Sequence, residues 1–286
     1  MSKIKYFFQF AGIILLFSIF KLLGRKYASL LSGSIMTMIG PFFRSKKICH
    51  YNLSIAFPKL EINKKKDILK EMWFNYGRIL AEYIFISSFR NSKLSNNIII
   101  ENQNYLEEIK DLSEPVIFIS GHFNNFELMA MHIEKSGINL AALYRPLNNP
   151  FLNPLMENIR RKYICKKQVK KGISGTKELL RYFKNGCSIA LMIDQRVSEG
   201  IKCNFFDKQA FTTTIPAQFA KKYNAKIVPI YIERTKKNDF KIKIYQSLKF
   251  SQNDTLEKIT LELNKILESM IRKNPSQWIW THNRWK

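Results

Sequence analysis

Apolar and polar positions divide this chain into blocks of three kinds. The first is a nearly unbroken apolar run from Tyr6 to Leu23, interrupted by Gln9, Ser18 and Lys21. As a helix its 18 residues would reach roughly 27 Å at ~1.5 Å per residue, close to the ~30 Å hydrocarbon core of a bilayer. No small-residue cleavage site follows it, and Lys21, Arg25 and Lys26 come at once, so it reads as an uncleaved anchor rather than a signal peptide, with an interfacial helix that lies on the membrane without crossing as the alternative. A second apolar segment, Tyr27 to Phe43, is broken by Gly33 and Gly40 and ended by Pro41; it is expected to lie against the membrane or to pack on the domain.

The second kind is the short β-branched run. Val116 to Ser120, Ile138 to Leu143 and Cys187 to Ile193 read as buried strands, Ile98 to Ile100 as a shorter one, and Ile227 to Glu233 with Phe240 to Tyr245 as a pair. The third kind has helical periodicity: Asn63 to Phe89, the stretch after His122 with Leu128, Met129, Met131 and Ile133 on one side, Thr176 to Lys184, and Thr255 to Ile271. Asn124 or Asn125 is placed to cap the second of these, and Gly137 to end it. Strands alternating with helices predict a three-layer α/β domain. The expected division is an anchor over 1–26, an apolar connector over 27–58 and the main domain over 59–286.

Composition narrows the class. With 46% hydrophobic and 24% charged residues, the chain is neither disordered nor a multi-span membrane protein. A net charge of +25 favours anionic partners, but no basic-aromatic pattern of a nucleic-acid module accompanies it, so nucleic acid is not expected. Arg25, Lys26, Arg44, Lys46 and Lys47 outweigh Lys3 and Lys5, which places the body on the cytoplasmic side. Cys49, Cys165, Cys187 and Cys203 have neither metal-site nor disulfide-scaffold spacing and are expected to be reduced.

Candidate chemistry gathers at strand ends. The central strand stops at Ser120-Gly121 and presents His122 ahead of a helix, with Glu127 five positions on. A carboxylate there can fold back to hold one ring N–H, giving a general base with its orienter; a satisfied structural pair is the alternative. Arg145, followed by Pro146, closes the next strand, where α/β sheets bind ligands; a plain surface arginine is the alternative. A basic stretch from Arg160 runs to Lys170 and Lys171, and the third strand ends in Asp194-Gln195-Arg196. There is no G-x-S-x-G elbow and no H-E-x-x-H, so neither a serine nucleophile nor a metal is called for.

These residues resemble a known family. His122-Phe-Asn-Asn-Phe-Glu127, Asn52-Leu-Ser-Ile-Ala-Phe-Pro58, the Arg145-Pro146 pair, the acidic strand end at Asp194, Phe205-Phe206 with Thr212-Thr213-Thr214, and Trp278-Ile-Trp-Thr-His-Asn-Arg-Trp285 are similar to elements of the bacterial lipid A biosynthesis lauroyl/myristoyl acyltransferases. The chain departs at Lys170-Lys171-Gly172, where many relatives carry an Arg-Gly-Gly element. The resemblance implies a glycerolipid-acyltransferase-like fold and transfer of a fatty acyl chain from acyl carrier protein to a hydroxyl of a Kdo-lipid IVA-type lipid A precursor at the bacterial inner membrane. No cofactor is implied. His122 would act as base, oriented by Glu127, with Arg145, Lys170, Lys171, Asp194, Gln195 and Arg196 as substrate-binding candidates. Acylation of another glycolipid or of glycerol phosphate is the enzymatic alternative. The strand end Ile193-Asp-Gln-Arg196 lacks the F-P-E-G-T-like element of the glycerol-phosphate enzymes. A non-catalytic basic binder of anionic lipid or nucleic acid would leave the His/Glu spacing without a purpose.

Overall fold

A computed structural model describes residues 3–43, 46–112 and 114–286; Arg44, counted above among the basic residues, lies outside them. Both apolar segments belong to one helix, α1 (Lys3–Phe43), kinked where Gly24 takes φ 72° and ψ 164°. Glycine alone adopts that conformation readily, so the kink falls where the sequence changes from the first segment to the second. Pro41 sits in the last turn, and the helix ends soon after it loses that backbone donor.

The second half of α1 packs on α3 (Ile62–Glu82) through small residues. Ser32 Oγ donates to the Gly77 carbonyl at 2.6 Å. Gly77 permits this approach, since a Cβ there would stand 2.3 Å from the Ser32 carbonyl oxygen. The other side of α1 stays apolar and open, with Phe8 69%, Leu15 65%, Leu22 89% and Phe42 83% exposed. The first half is nonetheless tied to the domain at two points. Asn149 Nδ2 donates to the Tyr6 carbonyl at 2.8 Å, and Phe20 is wholly buried in a small cluster with Ala28 and Ala81. The helix expected over 63–89 is interrupted: α3 ends at Glu82, a 3-10 turn covers Tyr83–Phe85, and α4 follows over Ile86–Asn91. Before α3 comes α2 (Lys46–Ala56), which carries Asn52.

The sheet is built from β1 (Ile98–Glu101), β2 (Ile117–Ser120), β3 (Leu140–Tyr144), β4 (Lys167–Lys170), β5 (Ser188–Met192), β8 (Ile227–Arg234) and β9 (Phe240–Ile244), in the order β1-β9-β8-β2-β5-β3-β4. A hairpin of β6 (Ile201–Phe205) and β7 (Lys208–Thr212) stands apart, turning at Phe206 and Asp207 with φ 52° and 57°. Strands β8, β2, β5, β3 and β4 are mutually parallel; β9 runs against β8, and β1 runs with β9. The helices between them are α5 (Asn104–Asp111), α6 (Glu127–Lys135), α7 (Leu152–Tyr163), α8 (Ile173–Lys184) and α9 (Ile215–Tyr223), and α10 (Leu256–Lys273) follows β9.

Strand order places the layers. The steps β2-α6-β3 and β3-α7-β4 move toward one edge, whereas β4-α8-β5 and the later passage through α9 to β8 move back. Right-handed crossovers therefore put α6 and α7 on one face and α8 and α9 on the other. Phe183 of α8 meets Phe219 of α9 at 5.1 Å between ring centroids, as a shared face requires. The protein is thus an α/β molecule with both sheet faces covered. Covering explains the continuous apolar run of β2, all four of whose residues are buried, while β9 alternates buried Phe240, Ile242 and Ile244 with the more open Lys241 and Lys243.

Candidate active site

The site forms where β2 and β5 end side by side. Their register pairs Ile117 with Ile189 and Ser120 with Met192, and Ile193 N donates to the Ser120 carbonyl at 3.0 Å. Carried two residues further, the same offset sets His122 against Asp194. His122 Nδ1 lies 2.8 Å from Asp194 Oδ1, and the His122 backbone N–H donates to Oδ2 at 2.8 Å. Trp278 Nε1 donates to the same Oδ2 at 2.8 Å. The Phe126 ring stands edge-on to the imidazole with centroids 4.9 Å apart. Asp194 is 2% exposed at its side chain and His122 21%, so a buried carboxylate holds an imidazole that still reaches the surface.

Electrostatics follow from this contact. Burial alone would raise the Asp194 pKa, but the His122 ring, the His122 N–H and Trp278 hold it at about 2. Burial likewise works against the imidazolium; Asp194 more than offsets it, with help from Glu127 and opposition from Lys171, and the His122 pKa lies above its ordinary 6.5. An ionised carboxylate only accepts hydrogen bonds, so Nδ1 carries the ring proton and Nε2 is left with its lone pair. That is the tautomer a general base needs.

Glu127 occupies another position than the one expected of it. It opens α6 as the spacing predicts, but its carboxylate turns to Arg160 of α7, with Oε1 accepting from Nε at 2.9 Å and Nη2 at 2.7 Å, and from Tyr83 Oη at 3.4 Å. The carboxylate in contact with the ring's Nδ1 is that of Asp194, and the contact expected of Glu127 is replaced by its pair with Arg160. The physical reason is reach: Asp194 arrives beside the ring on a neighbouring strand, whereas Glu127 meets a guanidinium brought by a different helix. Among the described residues, Arg160 Nη1 is buried without a hydrogen-bond partner.

The turn between His122 and α6 is held from outside. Phe126 occupies the N-cap position of α6 with no side-chain cap, so neither Asn124 nor Asn125 caps the helix. Asn124, at φ 38°, receives its support from Gln277, whose carbonyl accepts from Asn124 N at 2.8 Å, and from Arg234 Nη2, which donates to Asn124 Oδ1 at 3.0 Å. Arg234 grips Glu82 with two bonds of 2.7 Å, and Glu82 also accepts from Ser29 of α1 at 3.0 Å and from Asn125 at 3.3 Å. A buried network therefore joins the apolar helix to the histidine turn. Neither Glu82 nor Arg234 stands out in sequence, because their partners lie far along the chain and no local spacing marks them.

The other candidates line the same edge. Strands β2, β5, β3 and β4 are consecutive, so His122, Asp194, Arg145 and Lys170-Lys171 follow one another over roughly 14 Å at ~4.8 Å per strand. Arg145 is exposed. Lys170 pairs with Glu157 at 3.4 Å, and Lys171 N donates to the Tyr144 carbonyl at 2.8 Å. Gln195 is half-buried next to Asp194. Arg196 turns to the C-terminus, with Nε 3.2 Å from the Lys286 carbonyl oxygen, and lies over Phe211. The aromatic ending is structural support: Trp278 holds Asp194, Asn52 donates to the Trp280 and His282 carbonyls at 2.9 and 2.6 Å, and Arg284 is wholly buried against Thr212. The Asn52 and Trp278–Trp285 elements, remote in sequence, thus meet behind the site.

Residues 1–286 match a family described as bacterial lipid A biosynthesis acyltransferase. A lipid A biosynthesis acyltransferase of Haemophilus influenzae is 24% identical over 85% of this chain and 78% of its own length. The lipid A biosynthesis lauroyltransferase of Escherichia coli is 23% identical over 85% of this chain and 79% of its own. Among solved structures, the 1-acyl-sn-glycerophosphate acyltransferase of Thermotoga maritima aligns with a TM-score of 0.39 and 14% identity, over 90% of this chain and 100% of that one.

Proposed function

The chain belongs to the bacterial lipid A biosynthesis acyltransferases, and from that premise we propose that it moves a fatty acyl chain from acyl carrier protein to a hydroxyl of a Kdo-lipid IVA-type precursor, with His122 as base. The observation that carries the mechanism is the 2.8 Å contact between His122 Nδ1 and Asp194, which leaves Nε2 free to accept a proton. Nε2 takes the proton of the acceptor hydroxyl as its oxygen adds to the thioester carbonyl. The tetrahedral intermediate then expels the carrier thiolate, which takes the proton back from the imidazolium. Asp194 stabilises that cation while it exists.

Binding is assigned to the cations along the strand ends. Arg145, Lys170 and Lys171 face the anionic groups of the glycolipid or the acidic carrier. Glu127 holds Arg160 over the Tyr144 ring, next to Arg145, and so positions that end of the binding edge. Gln195, beside Asp194, is kept as a further contact. Arg196, engaged by the C-terminus, is assigned a smaller part.

Residence at the inner membrane, with the domain on the cytoplasmic side, is supported by the open apolar face of α1 and by Arg25, Lys26, Lys46 and Lys47, which suit an anionic cytoplasmic leaflet. The bond at Tyr6 and the burial of Phe20 lie about 21 Å apart along the helix at ~1.5 Å per residue. Contact with the domain at both points favours a helix lying in the interface over one crossing the bilayer. The test of the reaction is transfer from acyl carrier protein to the tetraacyl glycolipid in mixed micelles. The wild-type protein should give a product heavier by one acyl chain, and His122→Ala should lower turnover by about 10² to 10⁴ with the fold intact. Near-normal transfer by a folded His122→Ala would remove the base.

A further inference from the structure

A cavity of about 220 Å³ lies between the end of α1, the start of α2 and the first turns of α3, and none of its lining residues belongs to the histidine site. Leu69 and Trp73 form an apolar floor, and Lys46, His50, Lys66 and Lys70 stand around it. Lys66 and Lys70 are one helical turn apart, where like charges repel. No carboxylate answers them: among the described residues, Lys46, Lys66 and Lys70 are in none of the ion pairs. Beside the cavity, Met38 and Phe42 of α1 are 73% and 83% exposed, so the basic rim continues directly into an open apolar face.

We propose that this cavity binds the phosphate headgroup of an anionic phospholipid, as a site separate from the one that acylates the glycolipid. The phosphate sits between Lys46, Lys66 and Lys70, where it relieves their repulsion. The glycerol end rests on Trp73, and the acyl chains leave along Met38 and Phe42 into the bilayer. Lysine stems lying on apolar surface with their ammonium groups at headgroup level suit this arrangement. The volume is below the ~300–1,000 Å³ of pockets for drug-sized ligands, which fits a headgroup and is small for a disaccharide acceptor. An apolar floor also favours an amphiphile over the acidic face of a carrier protein. The proposal rests on the membrane placement above, and the two are separable by experiment.

The full-length protein is floated with phosphatidylcholine vesicles with and without phosphatidylglycerol. Wild type should bind both and prefer the anionic ones. The triple variant K46Q/K66Q/K70Q should keep its binding to phosphatidylcholine but lose about a hundredfold in preference, as three cations each contributing a factor of about five would give. A control triple at exposed lysines of α8 and α9, K177Q/K184Q/K222Q, should keep the preference. Phosphatidylglycerol with brominated chains should quench Trp73 emission, and Trp73→Phe should abolish that part of the quench. Equal loss in the control triple, or preference and quench retained by K46Q/K66Q/K70Q, would overturn the site. Displacement of the brominated lipid by inorganic phosphate alone, or by acyl carrier protein, would assign the cavity to that ligand and overturn it too. Failure of the wild type to bind either vesicle would instead refute the membrane placement.

Discussion

Replacing Asp194 by asparagine separates the two carboxylates that sequence and structure put forward as partners of His122. The substitution keeps size and shape, and Oδ1 of the amide can still accept from Trp278 Nε1 or the His122 N–H. It removes the charge beside the ring and, where the amide nitrogen faces Nδ1, makes Nδ1 an acceptor, which moves the ring proton to Nε2 and takes away the base. Two unit charges about 4 Å apart at an effective dielectric constant of about 20 attract by about 4 kcal/mol. Losing that stabilisation of the imidazolium corresponds to about 10³ in rate at 1.36 kcal/mol per decade. The assay is kcat/KM for transfer from acyl carrier protein across pH 5 to 9. The base works neutral, and its pKa is raised by Asp194, so the wild-type rate should fall on acidification through a midpoint above 6.5. In Asp194→Asn the rate should drop about 10³-fold and the midpoint should move to lower pH. Glu127→Gln should instead release Arg160, raising KM with a smaller movement of the midpoint. The reasoning fails if a folded Asp194→Asn stays within a few-fold of wild type while Glu127→Gln shows the large loss and the shifted midpoint.

Trp278→Phe removes one hydrogen bond to the Asp194 carboxylate, worth about 1.5 to 3 kcal/mol when the acceptor is charged, so thermal stability should fall by that order and the acid midpoint should move up slightly as the carboxylate becomes more basic. Gly77→Ala places a Cβ 2.3 Å from the Ser32 carbonyl and should cost about 1 to 3 kcal/mol by forcing α1 from α3, read as a lower midpoint of chemical denaturation. Deleting residues up to Leu23 should leave a folded protein, because Ser29 and Ser32 still reach Glu82 and Gly77, whereas deletion up to Phe43 exposes Trp73 and Ala81 and should lower the unfolding temperature sharply. An unchanged melt for the longer deletion would show that the second half of α1 is not part of the folded unit.

Local pattern was enough for much of this molecule. Residues at most a few positions apart decide whether a segment is a strand or a helix, so Val116 to Ser120, the paired strands at Ile227 and Phe240, and the helix capped by Thr255 are all legible in apolar spacing and turn residues. His122 ahead of a helix, and Asp194 at a strand end, are legible for the same reason. The same locality misled at Glu127, since a carboxylate five positions from a histidine is within reach in sequence whether or not it turns that way. Which carboxylate meets the ring is decided by β2 and β5 being neighbours in parallel register, a choice between strands that no spacing within either one records. Tertiary packing also brought Trp278 to Asp194 and closed Arg234 on Glu82, pairs 84 and 152 residues apart in the chain. A buried charge must find its opposite wherever the fold delivers it, so the identity of that partner belongs to the topology and not to either residue's neighbours.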